Sequence, residues 1–186
     1  MNNFKVSYYL SRDVHDPVRG TDQAAGIDLY VPYYSEEFEK DLYEKNKDRN
    51  LSYWHEYDAE DKPKSLTIVI PPQERVNIPS GVHVFMEPKE SALIAANKSG
   101  VSTKKGLVFT CQVIDSDYTG EIHMGVVNTS NEHVKITTGD KLLQFIHTPV
   151  YFSELTRIDN KDEYLEMHEG TQRGDGAFGS TDDKKN

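Results

Sequence analysis

The sequence predicts an all-β fold, a sandwich or barrel, from three observations. Short runs of alternating apolar and polar residues recur along the 186-residue chain, as in strands that bury one face. Other short runs are more uniformly apolar, as in strands buried on both faces. Pro, Gly and Asn stand between the runs, where turns need them.

Taken in order, residues 4–10 (FKVSYYL) read as a strand, residues 12–20 as turn-rich, and residues 25–31 (AGIDLYV) as a short strand carrying Asp28. Alternation is clean at 67–70, 75–78 and 81–87, while 92–96, 107–114 and 141–152 are the more apolar runs. Within the stretch 113–121 (VIDSDYTGE), two β-branched residues lead into Asp115, then Asp117, Tyr118 and Gly120 mark a tight turn. Ile122, Met124 and Val126 resume the period-two pattern, so a strand, an acidic turn and a second strand are expected, in effect a hairpin.

Two stretches break the rhythm. Residues 35–64 are densely charged, with Phe38, Leu42 and Tyr43 at helical spacing and Ser35 placed to cap them. An inserted surface helix and loop is expected there, either a solvated excursion or an element that captures a regulatory protein. Residues 153–186 are polar and end in DDKKN, as in an extended, flexible tail. The expected organisation is a β core over 1–152, carrying the insert 35–64, followed by a tail over 153–186.

Length suits one domain with a sizeable core. A net charge of −10 and a pI near 5.1 argue against a nucleic-acid polymer or an anionic membrane as partner. A small anionic substrate remains open, because a few converging cations can dominate locally. One cysteine, Cys111, permits neither an internal disulfide nor a cysteine metal cluster, which fits a reducing cytoplasm. The opening MNNFKVSYYL is followed by no long apolar run, so neither a secretory leader nor a membrane span is expected.

Four stretches can carry chemistry. The turn at Asp115 exposes a carboxylate beside the Tyr118 ring, suited to catalysis or base recognition; aspartates that only satisfy local amides are the plain alternative. In residues 173–181 (RGDGAFGST), Gly174, Gly176 and Gly179 admit close backbone approach. There Arg173 offers a fork for phosphate oxygens, Phe178 a face for a base, and Ser180 and Thr181 hydroxyl donors. In residues 98–107 (KSGVSTKKGL), Ser99 and the Gly100 amide can donate to phosphate, with Lys98 and Lys104 adding charge. The spacing is not that of a Walker loop. Gln144 sits in an apolar strand and needs partners, whether as ligand or as packing.

Together, AGIDLY at 25, KSGVSTKKGL at 98, VIDSDYTGEI at 113, GDKLLQFI at 139 and RGDGAFGST at 173 resemble the five ordered motifs of the trimeric dUTP diphosphatases (dUTPases). The resemblance spans nearly the whole chain except residues 33–65. It implies a jelly-roll-like β fold, a homotrimer with sites between subunits, and Mg²⁺-dependent hydrolysis of dUTP to dUMP and diphosphate in the cytoplasm (the host's, for a viral protein). By position, Asp115 orients and activates the attacking water, and Tyr118 packs on the deoxyribose and excludes a 2′-hydroxyl. Lys98, Ser99 and Gly100 bind the phosphate chain with support from Gln144. Arg173 clamps the γ-phosphate, Phe178 stacks on uracil with Gly179 and Ser180 beside it, and Asp28 reaches the water shell of the metal. Main-chain groups near 109–114, including Val113 and Ile114, read the base.

The chain departs from the family pattern at several points. Lys98 and Lys141 stand where arginine is usual, Gln112 and Ala177 where glycine is common, and Asp182 where glycine usually follows the last motif. A related fold with the same third motif deaminates dCTP, but its catalytic glutamate corresponds to Gly125 here. A single cysteine also argues against zinc-dependent deamination.

Overall fold

The residues described by this computed structural model, 4–170, build thirteen strands and three helices. They begin with β1 Lys5–Leu10, β2 Val18–Arg19, β3 Gly26–Tyr30, α1 Glu36–Asn46, β4 Ser52–Tyr57, β5 Pro63–Ile70 and β6 Arg75–Pro79. The chain continues through β7 Val82–Glu87, β8 Ser91–Ala96, α2 Ser99–Lys105, β9 Leu107–Phe109 and β10 Val113–Asp115. It closes with β11 His123–Asn128, β12 Val134–Thr137, β13 Lys141–Pro149 and α3 Lys161–Glu166. The fold is all-β and jelly-roll-like, as the sequence predicts. No helix among the described residues is long and apolar enough to cross a membrane.

One five-stranded sheet runs in the order β10-β8-β13-β3-β2. Two three-stranded sheets, β6-β11-β9 and β12-β5-β4, and the pair β1-β7 complete the framework, and every ladder is antiparallel. Leu29, Ile68, Ile78, Met124, Ile136 and Phe145 meet in one core cluster. The chain divides at Tyr151/Phe152 into two units, the second containing α3.

Three expectations change on contact with the structure. Residues 107–114 do not form one doubly buried strand. β9 and β10 flank an interruption at 110–112, and Thr110, Gln112 and Val113 are exposed. Residues 141–152 end as a strand at Pro149, with Tyr151 94% exposed. The acidic stretch is a turn but not a hairpin: β10 pairs with β8, whereas β11 pairs with β6 and β9. A turn can carry the chain between sheets as well as back along one, and local sequence does not distinguish the two.

The insert departs furthest from expectation. Ser35 caps α1 as predicted, accepting from the Phe38 amide at 3.1 Å. Yet Phe38 and Leu42 are completely buried and belong to the core cluster. Asn46 locks the helix end to β6: its amide donates to the carbonyls of Leu42 and Asn77, and its oxygen accepts from the Asn77 amide. What reads as a loop holds β4, which pairs with β5 along Ser52–Tyr57, and His55 contacts Glu39 of α1 at 3.0 Å. The segment is a docked helix and an added strand, not a loose excursion.

Candidate active site

β10 ends at Asp115, and the Tyr118 amide donates to the Asp115 carbonyl at 3.1 Å, closing a four-residue turn. That turn leaves the Asp115 carboxylate exposed. Tyr118 folds back so that its hydroxyl donates to the Glu121 carbonyl at 2.9 Å. Cys111, Val113, Ile114, Asp115, Tyr118 and His123 line a cleft of ≈ 230 Å³. The interrupted stretch leading into it is pinned rather than loose. The Gln112 carbonyl accepts from the Ala95 amide at 2.7 Å, and the Thr110 amide donates to Gly125 at 3.0 Å.

A second group lies at the other end of β8. Asp28 on β3 is buried, and both its oxygens are engaged, Oδ1 by Lys98 and Oδ2 by Lys141 at 2.9 Å. Burial alone pushes the Asp28 carboxyl up, but the hydrogen bonds and charges of Lys98 and then Lys141 outweigh it and hold the group below its ordinary value. Two lysines on one carboxylate leave one positive charge over, on a chain that is acidic overall. Gln144 sits opposite both Asp28 and Ala96 in the ladders. Its side chain lies across Gly26, where a Cβ would approach Oε1 to 2.0 Å, and Nε2 donates to the Asn97 carbonyl at 3.2 Å. Ser99 and Gly100 open α2 directly after Lys98, and both are exposed.

Sheet register measures the distance between the two groups. Asp115 pairs with Ala92 at the start of β8, whereas Gln144 pairs with Ala96 at its end. Asp28 lies three strands across from Asp115 in the order β10-β8-β13-β3. Four residues along and three strands across amount to roughly 20 Å. One chain therefore presents two separate groups, a carboxylate with a cleft and a cationic group with an amide. Arg173, Phe178, Gly179 and Ser180 lie outside the described residues.

The dUTPase family model matches residues 63–182 of the chain. The chain belongs to the dUTPase family. Among curated dUTPase relatives, the deoxyuridine 5′-triphosphate nucleotidohydrolase of Finegoldia magna is 38% identical over 116 residues, 61% of this chain and 76% of that protein. The camelpox virus protein of the same name is 30% identical over 165 residues, 89% of this chain and 84% of its own length. Among solved dUTPase folds, a mutant dUTPase of Staphylococcus bacteriophage 80alpha with dUpNHpp superposes with a TM-score of 0.65 at 21% identity. That match covers 97% of this chain and 99% of the other.

Within this dUTPase, Gly125 faces Thr110 so closely that a Cβ would lie 2.4 Å from its Oγ1. A side chain there would have to displace the Thr110 hydroxyl, and glycine supplies no acid for ring chemistry. Sequence reasoning missed His123 and Cys111 as cleft residues. The Cys111 thiol donates to the His123 carbonyl at 2.9 Å and accepts from the Gly125 amide at 3.3 Å. Burial, then Lys45, pushes the His123 imidazole down, and its buried Nε2 has no hydrogen-bond partner among the described residues. Neither residue carries a spacing signal; the cleft between β10 and β11 brings them together.

Proposed function

We propose that the chain hydrolyses dUTP to dUMP and diphosphate at a site assembled from more than one copy. The observation that supports this is the placement of the two half-sites. Water and phosphorus must approach to roughly 3–3.5 Å for attack. Gln144 lies two strands across and four residues along from Asp115, roughly 17 Å away, so a triphosphate held by Lys98 and Gln144 is out of attack range of the Asp115 of the same chain. A neighbouring copy in a cyclic homotrimer would bring one half-site against the other.

In this reading uracil enters the cleft beside Val113 and Ile114, and main-chain groups near 109–114 read its edge. Tyr118 lies against the deoxyribose. Asp115 accepts a proton from a water as that water bonds to the α-phosphorus; the bond from that phosphorus to the bridging oxygen breaks, and diphosphate leaves. Lys98, Ser99, Gly100 and Gln144 hold the phosphate chain. Arg173 would clamp the γ-phosphate and Phe178 cover the base, with Gly179 and Ser180 beside it.

The donor set fits Mg²⁺ only through water. Both Asp28 oxygens are engaged by lysines, and no cluster of three metal-binding side chains occurs among the described residues. Mg²⁺ tolerates this, because it keeps several waters and takes few protein ligands beside phosphates. When bound, the ion would supply charge neutralisation on the phosphates, with Asp28 orienting its water shell.

The test is diphosphate release by the purified chain against a panel of dNTPs with Mg²⁺. Preference for dUTP is expected; equal turnover of dCTP or dTTP, or none of dUTP, refutes the reading. A second role for the insert in protein capture is favoured by one observation. Trp54 and Tyr57 on β4 are each more than half exposed. Substituting both should leave hydrolysis intact, and loss of hydrolysis would tie that face to catalysis instead.

A further inference from the structure

Arg12 lies in the turn-rich stretch after β1, where its sequence shows no motif. Its side chain is nevertheless only 13% exposed and forms a hub. Nε donates to Glu121 Oε1 at 2.8 Å and Nη2 to Glu121 Oε2 at 3.0 Å, a two-pronged grip on one carboxylate. Nη2 also donates to Asp41 Oδ2 on α1 at 2.5 Å. The Gly81 amide adds a bond to Glu121 Oε1 at 2.6 Å. At Gly81 φ is +73°, and a Cβ would meet the Arg12 Cβ at 2.9 Å, so glycine opens the passage the arginine takes.

Glu121 works at both ends. Its carboxylate is held by Arg12 and Gly81, and its carbonyl accepts the Tyr118 hydroxyl at 2.9 Å. With the carboxylate clamped at two oxygens, the backbone carrying that carbonyl loses rotational freedom, and the ring resting on it keeps one position. The chain of contact thus runs from Asp41 in the insert, through Arg12 and Glu121, to Tyr118. Both side chains of the central pair are largely desolvated, 13% and 14% exposed, so neither charge is tolerated alone. Asp41 is the peripheral member at 32% and can be altered without stranding a buried charge.

We propose that Arg12 is a positioning residue for the sugar end of the site, and that Asp41 of the insert helix sets its grip. The 35–64 segment thereby governs how closely Tyr118 closes on the deoxyribose. The inference rests on the dUTPase reading above for its substrate, but the mechanical link can be read without nucleotide.

Amide hydrogen exchange across residues 115–121 should quicken in Asp41→Ala while β11 keeps its protection. In the same variant the UTP-to-dUTP ratio of kcat/KM should rise about five- to tenfold, the scale of a lost coupling between neighbours. The change should come through the KM for dUTP, with kcat held within about twofold. Asp41→Glu should restore the ratio, because a longer carboxylate still reaches Nη2. Arg12→Lys should not, because the ammonium lacks the fork. Glu44→Gln, on an exposed position of the same helix, should leave both readouts at wild-type values. An unchanged ratio in folded Asp41→Ala overturns the proposal, as does Arg12→Lys behaving as wild type. If the wild-type chain hydrolyses neither nucleotide, the dUTPase reading falls and exchange in the turn alone decides the positioning role.

Discussion

The Tyr118 hydroxyl occupies the space where a side chain at Gly120 would begin: a Cβ there would lie 2.4 Å from the hydroxyl oxygen and 2.6 Å from Cζ. The glycine is what lets the ring fold back over its own turn. Gly120→Ala should therefore displace the ring while leaving the sheets intact, and discrimination against UTP should weaken as it does in Tyr118→Ala. The comparison needs kcat/KM for dUTP and UTP in both variants. An unaltered ratio in Gly120→Ala would mean that the ring does not gate the sugar.

Asp115 stands exposed at the end of a strand, and its carboxylate makes no hydrogen bond or ion pair among the described residues. Nothing in the described fold depends on the charge of its carboxylate. Asp115→Asn should melt within a degree or two of wild type, yet hydrolyse dUTP at least ~10²-fold more slowly, the scale of a lost general base. Near wild-type turnover in the purified variant would remove Asp115 from the water-activating role.

Much of this was legible in the sequence, for reasons that differ by element. β5, β6 and β7 were readable because alternation leaves a local trace, and β8 because a short apolar run between turn residues does. The Ser35 cap and the helical spacing of Phe38 and Leu42 were equally local. The burial of that helix was not, because its apolar stripe is narrow and set among charges, and docking depends on distant Asn77 and β6. β4, with exposed Trp54 and Tyr57, gains its strand character from pairing with β5 rather than from its own pattern. Arg12 and Glu121 stand 109 residues apart, and no spacing rule connects them. The two candidate groups were legible as motifs, but only register shows that Asp115 and Asp28 stand three strands and four residues apart in one sheet.

Because Phe38 and Leu42 are fully buried, the insert contributes to stability as well as surface. Phe38→Ala should cost about 3–5 kcal/mol, as for a large core side chain, read from urea unfolding. Trp54→Ala should cost no more than about 1 kcal/mol, since the residue is 53% exposed and its ring packs under Lys135, whose Nζ lies 4.2 Å from the centroid. Excising residues 35–64 in favour of a short turn should yield an unstable chain. A stable excision variant would show that β6 and its neighbours close without α1.

Asp28 sets an acid limit. Its folded-state carboxyl is held below the ordinary value of 3.8, so it contributes stability above that value and loses it as pH falls through the lowered one. Thermal melts from pH 7 to pH 3 should show wild type losing stability below about pH 4, with a shallower loss in Asp28→Asn. Equal slopes in the two proteins would mean that Lys98 and Lys141 do not depend on the Asp28 charge.

The assembly of the site is open to a complementation test that follows from the β8 register. Two chains are needed, one carrying Asp115→Asn and the other Lys98→Ala with Gln144→Ala. The second retains Lys141 on Asp28, so the buried carboxylate is not left unpaired. If both half-sites had to come from one chain, no mixture could contain a complete site. If they come from neighbours in a cyclic trimer, each mixed trimer holds one site whose Asp115 and phosphate group are both intact. Random one-to-one reassembly makes about three-quarters of trimers mixed, each with one good site in three, so roughly a quarter of wild-type activity should return. The chains are unfolded together, refolded, and compared with each refolded alone. Activity no higher than those controls, with mixed trimers verified by mass, would refute a site shared between subunits.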